Sequence, residues 1–355
     1  MRWVERQDAA PGIVILRVYT YRAWHRSFVH RVVSFLSFMF SSFWVGVGVR
    51  GVDVVWGTSP PIFQGWTAWL LARLKGAKFV FEVRDLWPAF AIGVGVLRNR
   101  LLIRMSLWLE RFLYRSADGL MVNSPGFVAH VQQRGARQVA LMPNGASPEM
   151  FDPAERSEAW RTAHRLNGRF VILYAGAHGL SNDLGVVLQA AEFLKGKPEI
   201  CFVLVGDGKE KKKLQAQAQA MGLQNVLFLP PVSKQEMAGV LAGADAGLAI
   251  LKPLDLYCTT YPNKVFDYMA AGRPVLMAID GVARQVVEDA GAGLFVEPGN
   301  PMALAQAALA LAADAQQARI MGLAGRRYIQ QHLDRRQIAL QFSDYLQSLC
   351  EKKGV

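Results

Sequence analysis

The chain alternates between short apolar runs and longer segments whose apolar residues recur at helical spacing, and this alternation constrains the fold most strongly. Strands that are separated by helices usually pair in parallel, with helices covering both faces of the sheet. The predicted strands are Ile13–Val18, Val52–Trp56, Lys78–Val83, Gly119–Asn123, Val139–Pro143, Phe170–Ala175, Cys201–Val205, Val226–Leu229, Ala246–Ile250, Pro274–Met277 and Gly293–Val296. The pattern predicts an α/β protein with two tandem, doubly wound, Rossmann-like domains.

A chain of 355 residues exceeds one ordinary core, since domains average roughly 150 residues. The turn-rich segment 144–153 predicts a domain junction. We expect a first domain over residues 1–160, a second over 161–335, and a terminal helical segment, 336–355, that packs back on the first. Ligands of such sheets bind beyond the carboxyl ends of the strands, so a cleft between the two domains is the expected site.

The charge is concentrated in the first half of the chain. The net charge is +12, and residues 1–163 carry +9 of it, with 18 Arg and 2 Lys against 11 acids. Arginine favours phosphates and anionic headgroups. No nucleic-acid recognition motif is present, and the arginines alternate with Trp and Leu, so an anionic membrane surface is the favoured partner. Three widely spaced Cys indicate reduced thiols in a cytoplasmic protein rather than a disulfide or zinc framework.

The segment Val32–Val49 is apolar enough to require separate treatment. Its large apolar residues fall on one helical face and Ser34, Ser37 and Ser41 largely on the other, with Arg26 in the preceding basic flank. Three interpretations stay open: a helix packed within the first domain, a helix that also touches the bilayer surface, and a membrane span.

Three loops after predicted strands carry candidate ligand-binding residues. The first, Tyr174–Asn182, is rich in small residues that let a ligand approach the backbone, and His178 can donate to phosphate. The second contains Gly206. The third begins a helix at Asn263, where Lys264 can neutralise a diphosphate and Asp267 can accept hydrogen bonds from ribose, although an exposed ion pair between these two is the simpler alternative.

Other motifs carry less weight. Lys209, Lys211, Lys212 and Lys213 form a charge run that predicts a solvated helix face. A Gly-x-Gly-x-x-Gly pattern at 46–51 follows a helix rather than a strand, which argues against a nucleotide role. No Cys or His spacing predicts a metal site. Arg84 and Asp85, at a strand end, are expected to be paired or functional, because charges beside a buried strand are costly.

Six collinear segments together resemble a known family: FEVRDLWP, MVNSPGF, MPNGASPEMF, YAGAHG, VGDGKEK and PNKVFDYMAAGRPVL. In these segments the chain resembles the family 4 glycosyltransferases of the GT-B fold, and among them the WbuB-like branch of bacterial surface-polysaccharide biosynthesis. The resemblance implies transfer of a sugar from a nucleotide-sugar, in particular a UDP-sugar, with retention of anomeric configuration. It implies a polyprenyl-diphosphate-linked or oligosaccharide acceptor, peripheral attachment at the inner face of the cell membrane, and no metal or other cofactor.

The resemblance also assigns residues. Lys264 and His178 would lie near the donor diphosphate, and Asp267 takes the place of the second glutamate of the family's E-x7-E motif. Arg84 and Asp85 fall where many relatives have a His-Asp pair near the reacting sugar. The other donor-binding candidates are Gly176, Gly179, Asn182, Gly206, Leu229 and Asn263.

Two departures from the family leave alternatives. Thr259 stands where the first glutamate of E-x7-E is expected, and nothing resembles the strand, glycine-rich loop and helix that open the family's first domain. We therefore expect that an N-terminal βα unit is missing. The alternatives are a catalytically silent, membrane-associated nucleotide-sugar-binding or scaffold protein, and a GT-B relative such as a nucleotide-sugar epimerase.

Overall fold

The computed structural model describes residues 3–22 and 28–351, which divide into two compact units. The first unit comprises the residues up to Met142 together with those from Gln341 onward, and the second runs from Pro143 to Leu340. Arg26 and residues 352–355, which entered the sequence predictions, lie outside the described residues. Each unit contains its own parallel sheet with helices, which confirms the predicted α/β class.

The first unit is built on a four-stranded parallel sheet. The strands of the whole unit, of which the last four form this sheet, are β1 (Val4–Ala10), β2 (Ile13–Val18), β3 (Val54–Ser59), β4 (Lys78–Val83), β5 (Gly119–Val122) and β6 (Val139–Leu141). Its helices are α1 (Phe28–Gly48), α2 (Phe63–Lys75), α3 (Ala89–Gly93), α4 (Arg100–Ser116) and α5 (Val128–Gln133). The parallel sheet has the order β3-β4-β5-β6. Its strands β4 and β5 are almost wholly buried, because helices cover them.

The strand at Ile13–Val18 does not join this parallel sheet, contrary to the simple strand–helix alternation. It pairs antiparallel with β1 in a separate two-stranded hairpin whose residues are nearly all exposed. The charged β1 sequence VERQDAA offers no apolar face for a core, so the hairpin lies outside the covered sheet.

Helix α1 is covered by the rest of the first unit on part of its surface and leaves an aromatic stripe exposed. Ser41 is fully buried and donates to the Tyr19 carbonyl oxygen at 2.6 Å, and Ser37 accepts from the Tyr21 backbone N–H at 2.8 Å. Phe40 and Trp44, one turn apart, are 59% and 55% exposed, whereas Gly46 packs against Leu71 of α2. Within the residues that the structure describes, no helix combines the length and apolar character needed to cross a bilayer.

The second unit carries a six-stranded, all-parallel sheet. Its strands are β7 (Phe170–Ala175), β8 (Ile200–Val205), β9 (Val226–Leu229), β10 (Ala246–Ile250), β11 (Val275–Ala278) and β12 (Gly293–Phe295). Its helices are α6 (Glu158–Ala163), α7 (Leu184–Phe193), α8 (Lys211–Ala220), α9 (Met237–Ala242), α10 (Asn263–Ala270), α11 (Val282–Asp289), α12 (Pro301–Ala313) and α13 (Ala315–His332). A last helix, α14 (Arg335–Glu351), begins in this unit and ends in the first, where Leu349 packs on Val80 and Met121.

The pleat of the second sheet divides its core into two faces. Val171 and Leu173 of β7 pack in one cluster, whereas Ile172 and Tyr174 pack in the other. The strand order is β12-β11-β10-β7-β8-β9, so successive strands are added on one side of β7 up to β9 and on its other side from β10 onward, a reversal of direction between β7 and β10. Such a reversal opens a crevice at the carboxyl ends of the strands, which is the usual ligand position in this architecture.

Candidate functional site

Two glycine loops approach each other at the carboxyl edge of the second sheet. Gly176 follows β7 and Gly206 follows β8, and both have positive φ values, 153° and 145°. A Cβ atom on Gly206 would lie 1.9 Å from the Gly176 carbonyl oxygen, so only glycine allows this contact. The two loops therefore form a tightly packed floor directly beside the sheet reversal.

Lys264, in the first turn of α10, extends its ammonium over this floor. Its Nζ atom lies 3.7 Å from the centroid of the Tyr174 ring, and it would stand 2.7 Å from a Cβ atom on Gly176. Desolvation by the surrounding protein lowers the pKa of Lys264 to about 7. Lys264 and Gly176, two sequence-predicted site residues, are thus brought together.

His178 belongs to the same loop as Gly176, and its side chain is fully buried next to Gly206. Neither Nδ1 nor Nε2 has a hydrogen-bond partner among the described residues. Burial, reinforced by the nearby Lys211 ammonium, lowers the pKa of His178 to about 4, so the ring is neutral at pH 7. Two unsatisfied ring nitrogens in a buried position are energetically unfavourable, which marks this ring as a candidate ligand contact.

Lys211 belongs to the site, although its place in a charge run predicted a solvated face. Its Nζ donates to the Gly206 carbonyl oxygen at 2.6 Å and to the Leu229 carbonyl oxygen at 2.8 Å. The Leu229 oxygen also accepts from the Gly206 N–H at 3.2 Å. Lys211 therefore ties together the ends of β8 and β9, while its neighbours Lys212 and Lys213 are exposed as expected.

The start of helix α7 is organised by a local turn. The Gly179 N–H donates to the Asn182 side-chain oxygen at 3.3 Å, and the Asn182 N–H donates to the Gly179 carbonyl oxygen at 3.1 Å. In this arrangement the Asn182 carboxamide oxygen stabilises the turn. Its predicted role in donor binding stays a prediction.

Asn263 contacts a different part of the unit from Lys264, and Asp267 feels different charges. The Asn263 side-chain oxygen accepts from Asn144 Nδ2 at 2.8 Å, which joins α10 to the segment 144–147. Burial raises the pKa of Asp267, and the Arg335 and Lys234 charges oppose that shift. No ion pair within 4 Å joins Lys264 and Asp267 among the described residues, so the simple ion-pair alternative is wrong.

Arg335 organises the segment 144–147 from the other side. It donates to the Asn144 carbonyl oxygen at 3.2 Å and to the Gly145 carbonyl oxygen at 3.0 Å. The Arg335 guanidinium is close enough for its charge to counteract the burial that raises the pKa of Asp267. The two residues are 68 positions apart (335 − 267), so the sequence does not reveal this interaction.

Arg84 and Asp85 lie at the carboxyl edge of the first sheet, after β4. Arg84 is exposed, and its Nε atom stands 4.0 Å from Glu82 Oε1. Asp85 is partly buried, and desolvation raises its pKa to about 6. Beside them the buried Asn123 donates to the Arg84 carbonyl oxygen at 3.2 Å, and its own Oδ1 has no partner among the residues described. Asn123 was not singled out from the sequence, because an amide at a strand end is common in turns.

Clusters of three or more His, Cys, Asp or Glu side chains that could hold a metal ion do not occur among the described residues. The free cysteines Cys201, Cys258 and Cys350 are separate thiols in this part of the chain.

Two family models match consecutive parts of the chain. The model described as a glycosyl transferase 4-like domain matches residues 2–145, and that of the group 1 glycosyl transferases matches residues 169–314. Together they span most of both units.

Relatives and solved structures agree with these matches. The putative colanic acid biosynthesis glycosyl transferase WcaI of Escherichia coli is 25% identical, over 89% of this chain and 79% of its own length. Sucrose-phosphate synthase from Thermosynechococcus elongatus superimposes with a TM-score of 0.78 at 20% identity, over 98% of this chain and 86% of its own.

A third similar protein is HepE of Anabaena, whose structure was solved in complex with UDP-glucose. It gives a TM-score of 0.72 at 18% identity, over 88% of this chain and 82% of its own. These likenesses confirm the predicted fold. The chain therefore belongs to the GT-B glycosyltransferases, with a glycosyltransferase 4-like domain followed by a group 1 glycosyl transferase domain.

Proposed function

We propose that this chain transfers a sugar from a UDP-sugar, with retention of anomeric configuration, to a lipid-linked or oligosaccharide acceptor in bacterial surface-polysaccharide biosynthesis. The relative WcaI is named for colanic acid biosynthesis, and HepE binds UDP-glucose, which supports this choice of pathway and donor. The observation that carries the proposal is the Lys264 ammonium placed over the Gly176 loop, at the reversal of the second sheet.

The donor diphosphate is assigned to the Gly176–Gly206 floor. The two glycines leave no side chain between backbone and ligand, Lys264 supplies positive charge, and the neutral His178 ring can donate one N–H. Cleavage of the C1–O bond leaves negative charge on the departing UDP. A fixed cation and a preorganised donor stabilise that charge more in the transition state than in the ground state.

The bond changes fit a single-displacement on one face of the sugar. The acceptor oxygen bonds to C1 as the C1–O bond to the diphosphate breaks, and the acceptor's hydroxyl proton passes to a diphosphate oxygen. Because this proton acceptor is the leaving group itself, the chain's task is to position the groups and stabilise charge. Lys264 near its pKa can also share a proton with the leaving diphosphate.

The acceptor is assigned to the carboxyl edge of the first sheet. There Asp85, with its pKa raised to about 6, can accept a hydrogen bond from a sugar hydroxyl at pH 7. The exposed Arg84 can pair with a diphosphate group of the acceptor.

An anionic bilayer is proposed as the surface on which the acceptor is met. Helix α4 exposes Leu101, Met105 and Trp108, and between them Arg104 is also exposed. Helix α1 adds an exposed aromatic stripe in the same unit. Apolar side chains interleaved with arginine suit the headgroup boundary of a membrane that contains anionic lipids.

The deciding experiment is a transfer assay with the full chain, a panel of UDP-sugars and a polyprenyl-diphosphate-linked sugar acceptor. We expect acceptor-dependent product whose proton NMR coupling at C1 shows the anomeric configuration of the donor. Lys264→Ala should lower turnover strongly while the circular dichroism spectrum stays unchanged.

Other outcomes would contradict this function. Thermal stabilisation by UDP without turnover for any donor and acceptor would favour the silent binding protein. A changed UDP-sugar that forms without acceptor would favour an epimerase. Unchanged transfer by folded Lys264→Ala would remove Lys264 from the mechanism.

A further inference from the structure

The second unit contains a large cavity that the donor site does not use. It has a volume of about 840 Å³ and lies at the amino ends of β7, β10 and β11, next to Phe170, Asp245 and Pro274. One wall comes from α6 and the segment before it, and the other from the first turns of α13. Its volume is within the range of roughly 300–1,000 Å³ that is typical of small-molecule sites.

Positive charge dominates the lining. The charged lining residues are Arg156, Arg161, Arg169, Arg273 and Arg319 on the basic side and Glu158 and Asp245 on the acidic side. Five cations against two anions leave an excess of three positive charges (5 − 2). No carboxylate forms an ion pair with Arg319 or Arg169 in the described part of the chain.

The cavity is preorganised on one side. Arg161, with its side chain 5% exposed, donates to Asp245 Oδ2 at 3.1 Å and to the Gly243 carbonyl oxygen at 2.9 Å. Arg273 is buried and donates to the Leu241 carbonyl oxygen at 2.9 Å. These bonds fix the Arg161 guanidinium on the Asp245 carboxylate and the Arg273 guanidinium on main-chain carbonyls. A second guanidinium on Asp245, that of Arg156, has its side chain 55% exposed.

The cavity and the donor site are at opposite ends of the same sheet. Strand β7 runs from Phe170, at the cavity, to Ala175, next to Gly176. A strand of six residues spans ~20 Å at about 3.3 Å per residue. One small ligand cannot occupy both positions, so the cavity is a separate site.

We propose that this cavity binds the phosphate monoester of a small organic molecule, with the phosphate on the arginines and the carbon skeleton along Pro153, Pro274 and Leu323. Arginine recognises phosphate through paired, charge-assisted hydrogen bonds. The volume exceeds what inorganic phosphate fills, and the three apolar side chains offer a surface for the remainder of the molecule.

The test is calorimetric titration of the full chain with glucose 6-phosphate, with glucose and inorganic phosphate as comparison probes at constant ionic strength. We expect saturable binding of glucose 6-phosphate, weaker binding of inorganic phosphate and none of glucose. Arg319→Gln should weaken glucose 6-phosphate about tenfold, as loss of a charge-assisted hydrogen bond predicts. Arg156→Gln should act in the same direction. Both should leave UDP affinity unchanged.

Arg327→Gln is the matched control, because Arg327 is exposed on the same helix α13 but does not line the cavity. It removes the same charge and should leave glucose 6-phosphate affinity unchanged. The proposal is overturned if glucose 6-phosphate does not bind, if inorganic phosphate binds equally well, or if Arg319→Gln and Arg327→Gln behave alike. Loss of glucose 6-phosphate binding in Lys264→Ala would place the probe in the donor site instead.

Discussion

The Nζ atom of Lys264 lies 3.7 Å from the centroid of the Tyr174 ring. An aromatic face attracts a cation, whereas the desolvation of the ammonium lowers its pKa to about 7. The positive charge that Lys264 supplies to the floor therefore changes with pH in the physiological range. The affinity for an anionic nucleotide should change with it.

UDP affinity should fall as pH rises above about 7, which is the pKa of Lys264 in the ligand-free protein. Above that pH, binding requires uptake of one proton by the lysine, so affinity falls by up to about tenfold per pH unit. Calorimetry in buffers with different ionisation enthalpies measures both the affinity and the proton uptake. Lys264→Met should bind UDP weakly with no such slope, whereas the exposed control Lys197→Met should retain it. An equal slope in Lys264→Met would contradict the assignment.

Gly206→Ala should abolish UDP binding and destabilise the second unit. The new Cβ atom would lie 1.9 Å from the Gly176 carbonyl oxygen, and the φ of 145° is itself unfavourable for alanine, so we expect a loss above ~1 kcal/mol. Urea denaturation and calorimetry measure the two effects. Gly185→Ala, in helix α7, is the control, because its added Cβ would meet no neighbouring atom of the described residues within 4 Å. This variant should stabilise the second unit by about 0.5–1 kcal/mol.

His178→Leu should raise the melting temperature of the ligand-free protein while reducing the shift that UDP produces. The side chain is fully buried, and neither ring nitrogen has a partner in the described part of the chain, so an apolar replacement of similar size removes an unfavourable group. Differential scanning calorimetry with and without UDP separates the two effects. A full UDP-induced shift in the leucine variant would show that the ring does not contact the ligand.

Asp85→Asn should slow sugar transfer and stabilise the first unit above pH 6. The folded-state pKa, about 6, exceeds the ordinary 3.8, so the folded protein holds the proton more tightly. The wild-type free energy of unfolding therefore falls as pH rises between these values, and the variant avoids a loss of ~1–3 kcal/mol. Urea denaturation across this pH window measures the slope. The acidic limb of the kcat/KM profile near pH 6 should also disappear, and a retained limb would exclude Asp85 as its source.

Met105→Glu should weaken flotation with vesicles that contain phosphatidylglycerol. Met105 is 58% exposed on α4 next to the exposed Arg104, so an acid at this position opposes both insertion and charge attraction. Wild-type binding should decrease at high salt. Met302→Glu, 45% exposed on α12 of the second unit, is the control and should float like the wild type. Equal loss in both variants would mean that α4 is not the docking surface.

The sequence predicted the buried strands well because their residues are almost continuously apolar. The bounds of β4, β7, β9 and β10 agree with the predicted ones. The polar hairpin strand Val4–Ala10 was missed, since its charged and exposed residues show no apolar alternation.

The sequence does not reveal which helix face is covered, nor where a long side chain ends. The periodicity of α1 separated serines from aromatics, yet only the structure shows Ser41 buried against the Tyr19 carbonyl, 22 residues away. Likewise Lys211 resembles its exposed neighbours in sequence, but its aliphatic stem carries the ammonium back to the strand ends. The predicted grouping of Lys264, Gly176 and His178 needed only the topology of parallel strands, whereas the burial of His178 could not be foreseen.

Lys211 also occupies the main chain at the end of β9, where Leu229 was predicted to contact the donor. The Leu229 carbonyl oxygen receives both the Lys211 ammonium and the Gly206 N–H, so its two lone pairs are already engaged. We expect the nucleobase of the donor to stack against the end of β9, where the Leu229 side chain is available but the Leu229 carbonyl oxygen is already engaged. Under this expectation discrimination between uracil and the other bases comes from atoms other than the Leu229 carbonyl, and changing the Leu229 side chain alone should alter the measured affinity for every nucleotide to a similar degree.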